Sequence, residues 1–103
     1  MTRNVVWSQD ALKDITAQAI YIAKDNKKAA LRVANAIKDA GDRLGAFSTG
    51  RPGRFEGTYE KSLAGLPYVI VYALSGTDAG EVTMILRVIH TAQDWPKGGW
   101  PGR

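Results

Sequence analysis

The 103-residue chain has no cysteine, which excludes disulfides and thiolate-metal sites and fits a reducing compartment. It has no apolar run near the ~20 residues that span a bilayer. Its first residues, MTRNVVWSQDALK, lack the apolar core of a secretory signal, so a cytoplasmic location with no membrane partner is expected. Like charges form no block: residues 1–50 carry eight basic and five acidic side chains, residues 51–103 six and five. The net charge of +4 is therefore a mild bias, compatible with nucleic acid, an acidic partner or simply a basic soluble surface. There is no internal repeat. The glycine-rich stretch Gly45–Gly53 is a loop and not a phosphate cradle, because no Gly-Lys-Ser/Thr opens a helix there. No cofactor and no metal are expected.

What is present is a strand-rich centre from Leu66 to Pro96. Tyr68–Leu74 and Val82–Ile89 are short apolar runs rich in β-branched and aromatic residues, separated by the turn formers Ser75–Gly80. This predicts a β-hairpin. Alternation puts Val82, Met84, Leu86 and Val88 on one face and Ile85 and Ile89 on the other, as in a central strand covered on both sides. Arg87 interrupts the apolar pattern, and His90 ends it.

Upstream, Arg3–Trp7 is β-prone and Ser8 is a helix N-cap with Asp10 in the first turn. Leu12, Ile15, Ala19 and Ile22 follow at helical spacing, with Ala11 and Ala23 beside them and Lys13, Asp14, Gln18 and Lys24 on the opposite face. After the break at Asp25-Asn26, Ala30, Val33, Ile37, Ala40 and Leu44 form a second stripe, which Gly41 weakens slightly. The two helices make an antiparallel hairpin. Arg54–Leu63 predicts an edge strand with a bulge at Gly57 and exposed Glu56, Glu60 and Lys61. Thr91 is placed to cap a short turn through Gln93, Asp94 and Trp95, stopped by Pro96. The order β-α-α-β-β-β gives a two-layer α+β domain over residues 1–96: an N-terminal strand, a helical hairpin and a three-stranded antiparallel meander. The first strand lies beside the last in a four-stranded sheet, and residues 97–103 form a flexible tail rich in glycine and proline.

This arrangement resembles the RelE/ParE superfamily of toxins from bacterial type II toxin–antitoxin modules. The resemblance rests on Trp7-Ser8 with Ala11-Leu12, on Asp25-Asn26 with Ala29-Ala30, and on Gly50–Arg54 with Glu56-Gly57-Thr58. It continues through Gly65–Tyr72, Ile85–His90 and Ala92–Pro96, so that it covers residues 4–96. It implies a cytoplasmic growth-inhibiting toxin of RelE-like fold, held inactive by a cognate antitoxin that alone contacts operator DNA. It also implies one of two targets. RelE- and YoeB-like members cut mRNA on the ribosome, and ParE-like members poison DNA gyrase.

RNA cleavage needs a base, an acid and cations on the phosphate. The candidates are His90, Arg87, Arg54 and Glu56, with Tyr72. Each has a structural alternative: a hydrogen-bonding strand-end histidine, an arginine paired with a buried acid, edge-strand charges, a core tyrosine. Relative to the RNA-cleaving members, His90 is followed by Thr91 where a His-Tyr pair is usual. Leu66-Pro67-Tyr68 also carries no charge where a basic residue enters the central hairpin. The resemblance therefore favours the ParE-like branch, with no catalytic residue. Trp95, Lys97 and Trp100, with Arg103, then become candidate partner contacts; alternatively Trp95 packs back on the core. A member that only binds its antitoxin is a third reading.

Overall fold

The computed structural model describes residues 3–77 and 80–92. The elements are β1 (Asn4–Trp7), α1 (Gln9–Ala23), α2 (Lys27–Arg43), β2 (Arg51–Pro52), β3 (Tyr59–Ser62), β4 (Tyr68–Thr77) and β5 (Gly80–His90). They form a mixed sheet in the order β1-β5-β4-β3-β2, parallel only between β1 and β5. The first strand does lie beside the last. The sheet has five strands instead of four, because Arg51 and Pro52 pair with Glu60 and Tyr59.

Ser8 links strand to helix. Its amide donates to the Ile85 carbonyl (3.0 Å) and its hydroxyl to the Leu86 carbonyl (2.9 Å), while its Oγ accepts from the Ala11 amide (3.0 Å). One residue thus ends the β1–β5 pairing and caps α1. Asn26 caps α2 in the same way, accepting from the Ala29 amide (3.0 Å). Both helices cover one face of the sheet, where Ala11, Ile37 and Leu44 meet Tyr68, Ile70, Tyr72, Ile85 and Val88. The α2 stripe is as the spacing predicts. The α1 stripe holds at Ile15, Ala19 and Ile22 but not at its start: Ala11 is buried, and Leu12 faces outward, 46% exposed. The small Ala11 lets the start of α1 approach β5.

Gly41 is buried in α2 for a packing reason. A Cβ there would overlap Cζ2 and Cη2 of Trp7, whose ring is held by its Nε1 donating to Asp42 (3.0 Å).

Several sequence expectations are corrected. The central hairpin is tighter than the Ser75–Gly80 loop implied, since Thr77 pairs with Gly80. The bulge is absent from Gly57, which sits in the turn before β3 at φ +80°. It lies instead on β5: Val71 opposes Arg87 but Tyr72 opposes Ile85, leaving Leu86 as the extra residue. The bulge shifts the side-chain parity. Ile85 and Val88 share the helix side, and Leu86 and Ile89 share the other, against the expected alternation. The strand expected over Arg54–Leu63 is confined to Tyr59–Ser62, with Glu56 in an exposed turn. Glu60, expected to be exposed, is 4% exposed. The helical turn expected after Thr91 lies outside the described residues from Gln93 on. No helix among the described residues is long and apolar enough to cross a membrane.

Candidate functional site

The register lines up Arg87 (β5), Val71 (β4), Glu60 (β3) and Arg51 (β2) in one row across the sheet. Both charged groups of this row inside the sheet are already partnered. Arg87 reaches α1, where Nε and Nη2 donate to the Asp14 carboxylate at 2.8 and 3.0 Å. Asp14 also accepts from the Val88 amide at 2.8 Å. The fork matches the carboxylate in two places, which orients it as well as neutralising it. The hydrogen bond to Asp14 raises the Arg87 pKa further above its ordinary value; burial opposes this, and the charges of Asp14 and Asp10 add to it. Asp14 and Gln18, assigned by spacing to the solvent face of α1, both turn to the sheet, since Gln18 accepts from the Tyr68 hydroxyl (3.3 Å).

Glu60 anchors the loop before β3. It accepts from the Arg54 amide (2.9 Å) and Arg54 Nε (3.4 Å), and Arg51 Nη2 lies 3.6 Å away. Tyr59, its neighbour on β3, packs with the helix-side core, and its partner Val71 belongs to the opposite cluster, so Glu60 faces away from the helices. Phe55 of the same loop packs on that face.

His90 ends β5 opposite Tyr68, ring edge to face with centroids 5.3 Å apart. Its Nδ1 accepts from the Ala92 amide (3.0 Å), which places the proton on Nε2 whenever the ring is neutral. Along β4, Tyr68 and Val71 are three residues apart, about 10 Å at strand rise. His90 is separated from the Arg87 row by that distance. Tyr72 is fully buried in the core, stacks on Tyr59, and uses its hydroxyl to accept from the Gly50 amide (2.9 Å). Burial raises the Tyr68 pKa.

Of the residues with candidate chemistry, Arg54 is brought to Glu60 and Arg87 to Asp14, as two separate pairs. Glu56 lies on an exposed turn, and His90 lies outside the row, about 10 Å along the strand from it. Asp14 and Glu60 were missed. For Asp14 the signal was available, because an arginine inside an apolar strand demands a carboxylate. Among the described residues no three His, Cys, Asp or Glu side chains cluster as a metal site would require. Trp95, Lys97 and Trp100 lie outside the described residues.

The described residues also line concave surfaces. A shallow apolar groove of about 390 Å³ runs over the helical hairpin between Ala19, Ile20 and Ala23 of α1 and Ala30, Leu31 and Ala34 of α2. Ile20 and Leu31 are 60% and 67% exposed, and Lys24, Lys27 and Lys28 flank them at the hairpin's end. A larger groove of about 560 Å³ separates α2 from β3, with Ala36, Ala40, Phe47, Leu63 and Leu66 in its lining and Asp39, Arg43 and Lys61 alongside.

Residues 5–95 match the family described as the ParE toxin of the type II toxin–antitoxin system parDE. The chain belongs to the ParE toxin family. A relative in Sinorhizobium fredii, named "Putative toxin Y4kP", is 38% identical over 96 residues, covering 92% of this chain and 95% of that protein. Among solved structures, the chromosomal ParDE system from P. aeruginosa superposes with a TM-score of 0.75 at 20% identity, covering 86% of this chain and 96% of that one. The YoeB/ParE toxin from Agrobacterium tumefaciens gives 0.59 at 13% identity, covering 84% and 97%. The RelBE2 toxin–antitoxin complex of Mycobacterium tuberculosis gives 0.52 at 22%, covering 87% and 99%. At these identities the structural likeness establishes the shared α+β fold. The ParE match extends from β1 to three residues past the last described position.

Proposed function

We propose that this ParE-family toxin arrests growth by binding and poisoning DNA gyrase, in the cytoplasm, and that a cognate antitoxin neutralises it. The observation that carries the choice of target is the disposition of the candidate catalytic groups. Arg87 and Arg54 are committed to Asp14 and Glu60, and His90 stands about 10 Å along the strand from their row. General acid–base cleavage of RNA needs such groups around one phosphate. A gyrase poison works by binding and needs no such convergence. The antitoxin fits the helical hairpin, where Leu12, Ile20 and Leu31 expose apolar surface beside lysines. An amphipathic helix with acidic flanks would lay its apolar face there.

The test is incubation of the purified protein with DNA gyrase, ATP and relaxed plasmid. Loss of supercoiling with accumulation of linear DNA is the expected result. Undisturbed gyrase, with protein that remains toxic in cells, would transfer the assignment to ribosome-dependent mRNA cleavage by His90, Arg87 and Arg54. His90→Gln separates the two independently: toxicity is retained if gyrase is the target and lost in a folded variant if RNA is cut.

A further inference from the structure

The loop that follows α2 holds an aromatic side chain in water. Phe47 is 70% exposed, yet its backbone is fixed on both sides: its amide donates to the Arg43 carbonyl (2.9 Å), and its carbonyl accepts from the Thr49 amide (3.0 Å). Leu44 is buried in the core and ties the start of the loop to the sheet. A phenyl ring on such a backbone has little freedom to lose when a partner covers it, and all of its hydrophobic gain is still to be made.

Phe47 stands at the edge of the groove of about 560 Å³ between α2 and β3, where Ala36, Ala40, Leu63 and Leu66 supply apolar lining. Arg43 enters the lining from α2 and Lys61 from β3, so two cations approach it from different walls. Asp39, one helical turn before Arg43, is the acid beside them, but no ion pair joins it to either cation among the described residues. Arg43 also suits the negative end of the α2 dipole, which leaves Lys61 and Phe47 unaccounted for. The groove lies on a different side of α2 from the hairpin groove. Ala30 and Ala34 line the one, Ala36 and Ala40 the other. Six residues turn a helix through roughly 600°, so the two grooves sit about 120° apart around α2.

We propose that the groove between α2 and β3 is the surface by which the toxin holds its target protein, and that it takes an apolar segment carrying a carboxylate. Phe47 is the anchor, and the carboxylate sits between Arg43 and Lys61. Two cations against one acid favour an anionic side chain. The apolar lining between them offers nothing to the row of charges along a nucleic-acid backbone. A small ligand would leave the Phe47 ring in water, whereas a protein surface covers ring and groove together, as interfaces built on an aromatic beside an arginine do. A second copy of the chain would set the same cations against each other across a two-fold axis. This use of the groove rests on the reading that the toxin acts by binding a protein. It gives the target a face that an antitoxin helix on the hairpin leaves open.

The experiment measures binding of the full-length toxin to immobilised DNA gyrase, growth arrest on induced expression, and the Tm of each variant. Phe47→Ala should weaken gyrase binding by about 10- to 30-fold, and Arg43→Glu and Lys61→Glu by about tenfold each, with growth arrest lost in parallel. Their Tm should stay within about 4 °C of wild type, because Phe47 is exposed and the two cations hold no ion pair among the described residues. Lys13→Glu, an equal charge reversal at an exposed position outside both grooves, should change binding by less than about threefold. Wild-type binding and arrest in the folded groove variants would overturn the proposal, as would an equal loss in Lys13→Glu. Loss in the charge variants alone, matched by loss of binding to plasmid DNA without gyrase, would overturn it in favour of a phosphate contact. If the wild-type toxin leaves gyrase unbound but arrests growth, the gyrase reading fails and growth arrest tests the groove. Arrest abolished by both Phe47→Ala and Lys61→Glu then sustains the groove, and arrest retained by either overturns it. A wild-type protein that neither binds gyrase nor arrests growth overturns both.

Discussion

Removing the Asp14 carboxylate exposes the dependence of the fold on a single side chain. Asp14→Ala deletes two charge-assisted hydrogen bonds from Arg87 and one from the Val88 amide. Side chains 14 and 87 are 16% and 22% exposed, so water screens the loss only in part. Hydrogen bonds to charged groups contribute about 1.5–3 kcal/mol, and an unsatisfied buried amide costs about 1–3 kcal/mol. Water reaching the vacated site recovers a share, which leaves a net destabilisation of about 2–3 kcal/mol. Asp14→Asn keeps an acceptor for the Val88 amide and should lose about half as much. Urea denaturation of both variants, with the double-mutant cycle Asp14→Ala/Arg87→Met, separates the pair from the amide bond. The pH dependence has a defined sign. The Arg87 pKa is raised in the fold, so its stabilisation is complete below the unfolded value and is lost only as pH rises through the folded one. That window lies far above neutrality, and Arg87 itself contributes no pH dependence near neutral pH. Stability of Asp14→Ala within 0.5 kcal/mol of wild type would refute the reasoning.

Gly41→Ala gains about 1 kcal/mol of helix propensity but drives a methyl into the Trp7 ring, which its bond to Asp42 keeps from swinging aside. Overpacking of about 1–3 kcal/mol should prevail, and an unchanged or raised denaturation midpoint would contradict it. Thr83 is fully buried with its hydroxyl unpartnered, so the nearly isosteric Thr83→Val should stabilise by roughly 1 kcal/mol, read as a rise in Tm. Burial raises the Tyr68 pKa, so the folded state binds this proton more tightly than the unfolded state does. Its stabilisation is complete below pH ~10 and falls as pH rises through the folded value. Spectrophotometric titration should show one phenol of the wild type ionising late and absent in Tyr68→Phe. Saturating antitoxin should raise the melting temperature of the toxin, as any ligand selective for the folded state does, and equal melting temperatures would count against the proposed complex.

The elements with strong local signals were legible in the sequence. Ser8 and Asn26 are N-caps because their side chains satisfy the amides of Ala11 and Ala29, a bond that needs only three residues. The α2 stripe and the two central strands follow from apolar spacing. The errors share a different origin. The side that Asp14 and Gln18 take depends on Arg87 and Tyr68, which lie 73 and 50 residues away in the chain. The burial of Glu60 depends on a loop closing over the sheet, with Arg54 and Arg51 brought alongside. Leu12 and Ala11 exchanged places because one position on α1 had to fit against β5, and spacing alone cannot choose between adjacent residues.

The sequence by itself determined the β-α-α-β-β-β order, the helix starts, the central hairpin and the kinship with ParE toxins. Each rests on local capping, periodicity or motif order. The tertiary structure decided the bulge at Leu86 and, with it, which face Val88 and Ile89 take. It also decided that Arg87 and Arg54 are held by Asp14 and Glu60. An ion pair costs desolvation that only a partner at the right distance offsets, and that distance is set by strands and helices meeting across the fold.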